Sequence, residues 1–119
     1  MKVLNDLVGY KNLKIYQEED WFRFSLESIL LPNFVTVDLR GEHIIDLCAG
    51  DAPMPVVLST RTKAKIYGVE IQEDIYKLGL DSVLYNKLED QINLINDDVN
   101  NLKSHFNTEF FDIITVNPP

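Results

Sequence analysis

From residue 43 onward, apolar and polar positions fall into blocks that read alternately as strand and helix. His43-Ile44-Ile45-Asp46-Leu47 is a short apolar run opening into Cys48-Ala49-Gly50, the pattern of a buried strand entering a turn. Pro53 and Pro55 follow, and Pro is tolerated in a helix's first turn because the N–H it lacks has no intrahelical partner there. Asp51 is placed to cap that helix, with Val57 and Leu58 supplying its apolar face. Lys65 to Glu70 reads as a second strand. Glu73 to Leu88 reads as a longer helix carrying Tyr76, Leu80, Val83 and Leu84 along one side. Ile92 to Asn96 is a third strand, Val99 to His105 a short helix or turn, and Phe111 to Val116 a fourth strand.

The first forty residues are less regular. Leu13 to Gln17 alternates like a short strand and runs into the acidic turn Glu18-Glu19-Asp20. Ser25 is placed to cap a helix over Leu26 to Phe34, where Leu26, Ile29, Leu30 and Phe34 recur at helical spacing. Pro32 works against that helix by removing an interior hydrogen bond. The chain thus divides into an N-terminal segment, residues 1–41, and an alternating core, residues 42–119. Alternation of this kind predicts an α/β fold with a parallel sheet. Right-handed crossovers order its four strands 3-2-1-4, the first half of a doubly wound sheet. The apolar fourth strand falls at an edge, which invites self-association by strand pairing.

Composition narrows the class. Hydrophobic residues make up 45% and charged residues 25%, as in globular proteins, and no run approaches the roughly 18 apolar residues of a membrane span. The opening segment has no signal-peptide core, and a lone Cys48 excludes an intrachain disulfide, so a cytoplasmic location is expected. No metal-ligand spacing is visible. The net charge of −8 is uneven: residues 1–41 carry five basic and six acidic side chains, residues 42–119 six and thirteen. A nucleic-acid binder neutralises phosphates with positive surface. Any such function here borrows that surface from other sequence, a partner or a local patch.

Ligands of doubly wound sheets bind beyond the carboxyl ends of the strands, and four candidate sites fall there. The turn Asp46 to Ala52 matches a glycine-rich dinucleotide fingerprint only at Gly50. Its strand-end acid repels phosphate and suits a cationic ligand such as an aminoacyl sulfonium; alternatively it is a plain turn of small residues. Glu70, twenty residues after Gly50, can accept hydrogen bonds from ribose hydroxyls or simply face water. One carboxylate of Asp97-Asp98 can accept from an adenine amino group, with Val99 or Ile71 against the ring, or the pair can cap the next helix. In Asn117-Pro118-Pro119 the prolines hold the backbone extended. The Asn side-chain oxygen and a prolyl carbonyl can then accept both hydrogens of one planar amino group, drawing its lone pair towards an electrophilic methyl. Taken as a tripeptide, the same residues are a loop ending a strand. Cys48, His43 and His105 read as structural, as do Trp21, Phe22 and Phe24, although these aromatics could line an entrance for a base.

With these four sites in order, the sequence resembles the class I S-adenosylmethionine-dependent methyltransferases that modify exocyclic amino groups. Asp46 to Ala52 looks like their first motif, Glu70 like their ribose-binding acid, Asp98-Val99 like their adenine-binding pair, and Asn117-Pro118-Pro119 like the start of their Asn-Pro-Pro-aromatic motif. Phe24-Ser25-Leu26-Glu27-Ser28-Ile29-Leu30-Leu31 resembles the preceding motif of bacterial tRNA1(Val) adenine-N6 methyltransferases, which implies that Glu27 borders the cofactor's methionine end. The resemblance implies a Rossmann-like fold, S-adenosylmethionine as cofactor, methyl transfer to the N6 of a tRNA adenine, and a cofactor site comprising Glu27, Asp46, Cys48, Gly50, Glu70, Ile71, Asp98 and Val99. Asn117, Pro118 and Pro119 would be catalytic. The chain covers the first half of that family's length and is expected to bind cofactor while turning over poorly alone. Cys48 and Ala52 stand where the family usually has Gly, and of the two Cys48 is expected to test whether the backbone needs a positive φ. Release-factor glutamine methyltransferases and DNA adenine methyltransferases share the Asn-Pro-Pro chemistry and are the alternative enzymes. A non-catalytic cofactor-binding or interaction remnant is the alternative outside enzymes.

Overall fold

The computed structural model of the chain describes residues 1–7, 9–21, 27–37 and 43–118. Two antiparallel strands, β1 (Lys2–Asp6) and β2 (Lys14–Glu18), form an N-terminal hairpin, followed by helix α1 (Glu27–Phe34). The core then alternates as β3 (His43–Asp46), α2 (Pro53–Leu58), β4 (Lys65–Glu70), α3 (Glu73–Tyr85), β5 (Ile92–Asn96), a 3-10 helix over Val99–Ser104, and β6 (Ile113–Thr115). Its four strands are parallel in the order β5-β4-β3-β6, the order expected from right-handed crossovers.

Each face of this sheet has its own covering. Ile44, Ile66 and Ile92 share one face and pack with Met54, Val57 and Leu58 of α2 and Val83 of α3. All six residues of α2 are buried, so Val57 and Leu58 are only part of a helix sunk wholly in the core. On the other face Tyr67 meets Phe106, Phe110 and Phe111 edge-on, with ring centroids 5.1 to 5.9 Å apart. His43 lies 4.0 Å from Phe110, which makes it a packing residue. At the β6 edge Ile114 and Val116 remain exposed.

Several local expectations change. β1 escaped the pattern because none of its side chains is fully buried; pairing with β2 defines it. Helix α3 buries Leu78, Gly79, Ser82 and Val83, whereas Leu84 is 60% exposed. Ser82 is the reason a polar residue faces inward: its hydroxyl donates to Leu78 O and accepts from Tyr16 N–H at 2.8 Å, fastening the hairpin to the helix. The helix stops at Tyr85 rather than Leu88 because Asn86 turns its amide to both backbone groups of Lys14. In α1 the buried residue is Pro32, while Leu30 and Phe34 are exposed; the Arg61 guanidinium takes up the carbonyls of Pro32 and Val35. The Ser25 cap and Leu26 lie outside the described residues.

The seam between α3 and the sheet is very close. A Cβ on Gly79 would stand 2.9 Å from Leu94 Cδ1, and one on Gly68 would stand 2.7 Å from Leu94 Cδ2 and 2.9 Å from the Ala49 Cβ. Leu94 therefore fills the space that two glycines leave, and Gly68 lets the turn after β3 lie against β4. Gly68→Ala is expected to destabilise the chain by about 1–3 kcal/mol through overpacking, read as a lower urea midpoint with an unchanged slope. An unshifted midpoint would show that this seam has slack.

Candidate functional site

The parallel strands end together, and their carboxyl ends enclose a cleft of about 1100 Å³. The sheet order sets what lies where. Asp97, Asp98 and Val99 follow β5; Glu70 and Ile71 end and follow β4; Leu47 to Asp51 follow β3; Asn117 and Pro118 follow β6. Glu18, Trp21, Glu27 and Ser28 close one side from the N-terminal segment. Of the residues singled out from the sequence, Glu27, Cys48, Gly50, Glu70, Ile71, Asp98, Val99, Asn117 and Pro118 all line this one cleft. Pro119 lies outside the described residues, as do Phe22 and Phe24.

Asp46 does not line the cleft. It is 3% exposed beneath the turn, where its carboxylate accepts from the Thr115 hydroxyl at 3.3 Å and from the Cys48 N–H. With the Leu47 N–H donating to Thr115 O at 2.9 Å, it ties the turn to β6 and so helps place Asn117. Asp46 acts on the cleft through these contacts and through its charge, which reaches Cys48.

The turn itself is held by Glu70. Its Oε2 accepts from the Gly50 N–H at 2.9 Å and its Oε1 from the Gln72 N–H at 3.1 Å, while the Ala49 N–H donates to Val69 O at 2.9 Å. Each oxygen keeps a lone pair for a ligand hydroxyl. Positive φ falls on Gly50 (58°) and Ala52 (71°) and not on Cys48, so the expectation about Cys48 is corrected: Ala52 is the strained non-glycine position. Cys48 is half-buried, and its thiol is pushed up by burial and by the charges of Asp46 and Glu70, which makes it a poor nucleophile. Asp51 does not cap α2 with its side chain; Ala52 is the cap residue. The Asp51 carboxylate instead accepts from the Gln17 side-chain amide at 2.9 Å.

Asp97 and Asp98 divide their work. Asp98 caps the 3-10 helix by accepting from the Asn100 N–H at 2.8 Å. Hydrogen bonds from Asn101, His105 and the Asp98 N–H hold Asp97 down to about 2. His105 is thereby accounted for as a partner of Asp97. Gln17 and the acidic cleft walls Glu18, Asp51 and Asp74 escaped the sequence reading: the alternation of β2 turns Gln17 inward beside Ile15, but only the folded chain shows that it meets Asp51.

The charge of the cleft is one-sided. Glu18 and Glu27, Asp51, Glu70 and Asp74, and Asp97 and Asp98 line it, and no Lys, Arg or His does among the described residues. Among the described residues no group of His, Cys, Asp and Glu is arranged to hold a metal ion, and no helix is long and apolar enough to cross a membrane.

Fold and site together define an α/β domain with a ligand cleft at its strand ends. A family profile described as the TRM5/TYW2 methyltransferase domain matches residues 33–117, and the chain belongs to that family. A tRNA1(Val) (adenine(37)-N6)-methyltransferase of Phocaeicola vulgatus is 24% identical over 116 residues, 97% of this chain and 47% of that protein. The chain therefore spans about half the length of the curated relative it matches. Among solved structures, Pyrococcus horikoshii TYW2 in complex with MeSAdo superposes with a TM-score of 0.72 at 21% identity, over 95% of this chain and 41% of that one. Methanocaldococcus jannaschii Trm5 in complex with adenosine gives 0.73 at 21% identity, over 99% and 35%.

Burial pushes the Asp46 carboxyl up to about 7 and that of Asp51 up to about 6, against the hydrogen bonds from Thr115 and Gln17 that favour the anions. Both folded values exceed the ordinary Asp value of about 3.9, so the folded chain holds protons that the unfolded chain releases. The stability they contribute is full below about pH 4 and is lost as pH rises through 6 to 7. Asp46→Asn removes the larger part, the one that extends to about pH 7. Compared with that variant, the wild type should lose stability between pH 4 and 7 with a slope approaching about 1.4 kcal/mol per pH unit in urea melts. A pH-independent difference between the two would show that Asp46 is solvated.

Proposed function

We propose that this cleft binds S-adenosylmethionine and that the whole protein transfers its methyl group to an exocyclic amino group in tRNA, the N6 of an adenine. The observation carrying the reading is the convergence of Glu70, Asp98, the Cys48–Asp51 turn and Asn117-Pro118 on one cleft that has acidic walls and no cation among the described residues. Such walls disfavour phosphates and favour a sulfonium with an ammonium group. The sheet order supports an extended ligand: Asp98 with Val99 and Ile71 for a purine, Glu70 for a ribose, and the turn after β3 for the aminoacyl end. The ligand, when bound, supplies an electrophilic methyl.

What the chain contributes to transfer is orientation. The Asn117 side-chain oxygen and the Pro118 carbonyl accept the two hydrogens of the target amino group and aim its lone pair at the methyl carbon. The new N–C bond forms as the S–C bond breaks, its electron pair staying on sulfur, and the nitrogen then releases a proton. Trp21, 43% exposed on the cleft wall, offers a face for the purine that must leave its stack to reach this point. The cleft holds the reacting base rather than phosphates, so the positive surface for tRNA lies elsewhere in the whole protein or in a partner.

The adenine assignment draws on the exocyclic-amine chemistry of Asn117-Pro118 and on the Phocaeicola vulgatus relative. Likeness to Trm5 favours a second target, a ring nitrogen of guanine. Titration of the chain with S-adenosylmethionine in a calorimeter should give saturable one-site binding, and a flat trace sinks the donor site. Nucleoside mass spectrometry of tRNA treated with the whole protein should show N6-methyladenosine. Asn117→Ala should lower that yield by about 100-fold while donor affinity holds. Appearance of 1-methylguanosine instead would replace the adenine assignment.

A further inference from the structure

Gln17 is a polar side chain only 2% exposed, in a hairpin outside the Rossmann-like core, and it does not line the cleft but bonds to Asp51, which does. Its Nε2 donates to Asp51 Oδ2 at 2.9 Å, and its Oε1 accepts from Asn5 Nδ2 at 2.9 Å. Asn5 stands diagonally across the β1–β2 pair from Gln17, so the hairpin's own register sets the contact. The Asp51 carboxylate only accepts, so it takes the Nε2 end of the Gln17 amide, and Asn5 Nδ2 holds the oxygen end in place. The backbone beneath is equally constrained, with Tyr16 N–H anchored to Ser82 of α3. A buried amide so held acts as a template. The carboxylate it orients sits in the turn after β3, between Glu70 and the N-terminal wall of the cleft.

We propose that Gln17, locked by Asn5, is a positioning residue that presets the Asp51 carboxylate to receive the ammonium of an aminoacyl sulfonium ligand. This rests on the donor site proposed above and deepens it. β5 and β4 present their strand-end acids on the purine and ribose side; the turn after β3 is the next position along the sheet, where the aminoacyl tail arrives. A carboxylate that keeps one hydrogen bond from Gln17 retains lone pairs for the ammonium, and its geometry needs no rearrangement on binding. The N-terminal hairpin is then part of the donor site even though, among the described residues, none before Glu18 lines the cleft.

Two probes separate this role from simple support of the fold. S-adenosylmethionine carries the aminoacyl tail; 5′-methylthioadenosine keeps the adenine and ribose and lacks it. In calorimetric titrations of the chain, Gln17→Met is expected to weaken S-adenosylmethionine by about tenfold and leave 5′-methylthioadenosine within about twofold. Asp51→Asn keeps an acceptor for Gln17 and removes only the charge. It should show the same selectivity with a loss of about tenfold or more, whether or not Gln17→Met folds. In the Asp51→Asn background, Gln17→Met should cost nothing further. Equal losses for both probes, or none for either, overturn the inference while the donor site stands. Additive losses in the double variant do the same. A wild-type chain that binds neither probe overturns the donor site and this inference with it.

Discussion

The parallel alignment of β3, β4, β5 and β6 is the constraint on which everything else in this molecule depends. Parallel strands need crossovers, and right-handed crossovers return each strand end to the same edge of the sheet. Residues as far apart as Cys48, Glu70, Asp98 and Asn117 therefore meet around one cleft. The Glu70 carboxylate then turns alignment into a defined turn. By accepting from the Gly50 N–H it holds the loop after β3 against β4, and Gly68 leaves the room that contact needs.

Charge is organised by the same geometry. Strand ends and their turns carry acids, and converging ends bring acids together. The cost is visible at Asp46 and Asp51, whose burial raises their proton affinity. Hydrogen bonds from Thr115 and Gln17 oppose that rise, and each also joins two elements of the fold. The polar contacts beneath the cleft thus act as architecture and electrostatics at once. A cation arriving in the cleft would relieve the repulsion that these contacts only contain.

The N-terminal hairpin shows how a peripheral element becomes part of a centre. It has little core of its own, yet Tyr16 is fastened to Ser82, Lys14 to Asn86, and Gln17 to Asp51. None of these pairs is close in sequence. Each joins polar groups that are buried or half-buried with their partner, and hydrophobic periodicity is blind to such pairs. That is why Ser82 faces inward on α3 while Leu84 stays exposed; Gly79 is buried beside it because Leu94 packs where a side chain would be.

Much was legible in the order of residues alone. Short apolar runs marked the core strands and helical spacing marked α3, and the alternation of strand and helix implied a parallel sheet in the order 3-2-1-4, because the handedness of crossovers leaves few other arrangements. The same order identified the strand ends at which Gly50, Glu70, Asp98 and Asn117 stand. Only the tertiary structure decided that Asp46 lies under the cleft and not in it, that Ala52 and not Cys48 takes the left-handed turn, and that Asp51 is held from the hairpin by Gln17. Periodicity reports which way a side chain faces relative to its own element. Depth below a surface, backbone handedness and the partner of a buried polar group are set by neighbours distant in sequence, and they exist only once the chain has closed on itself.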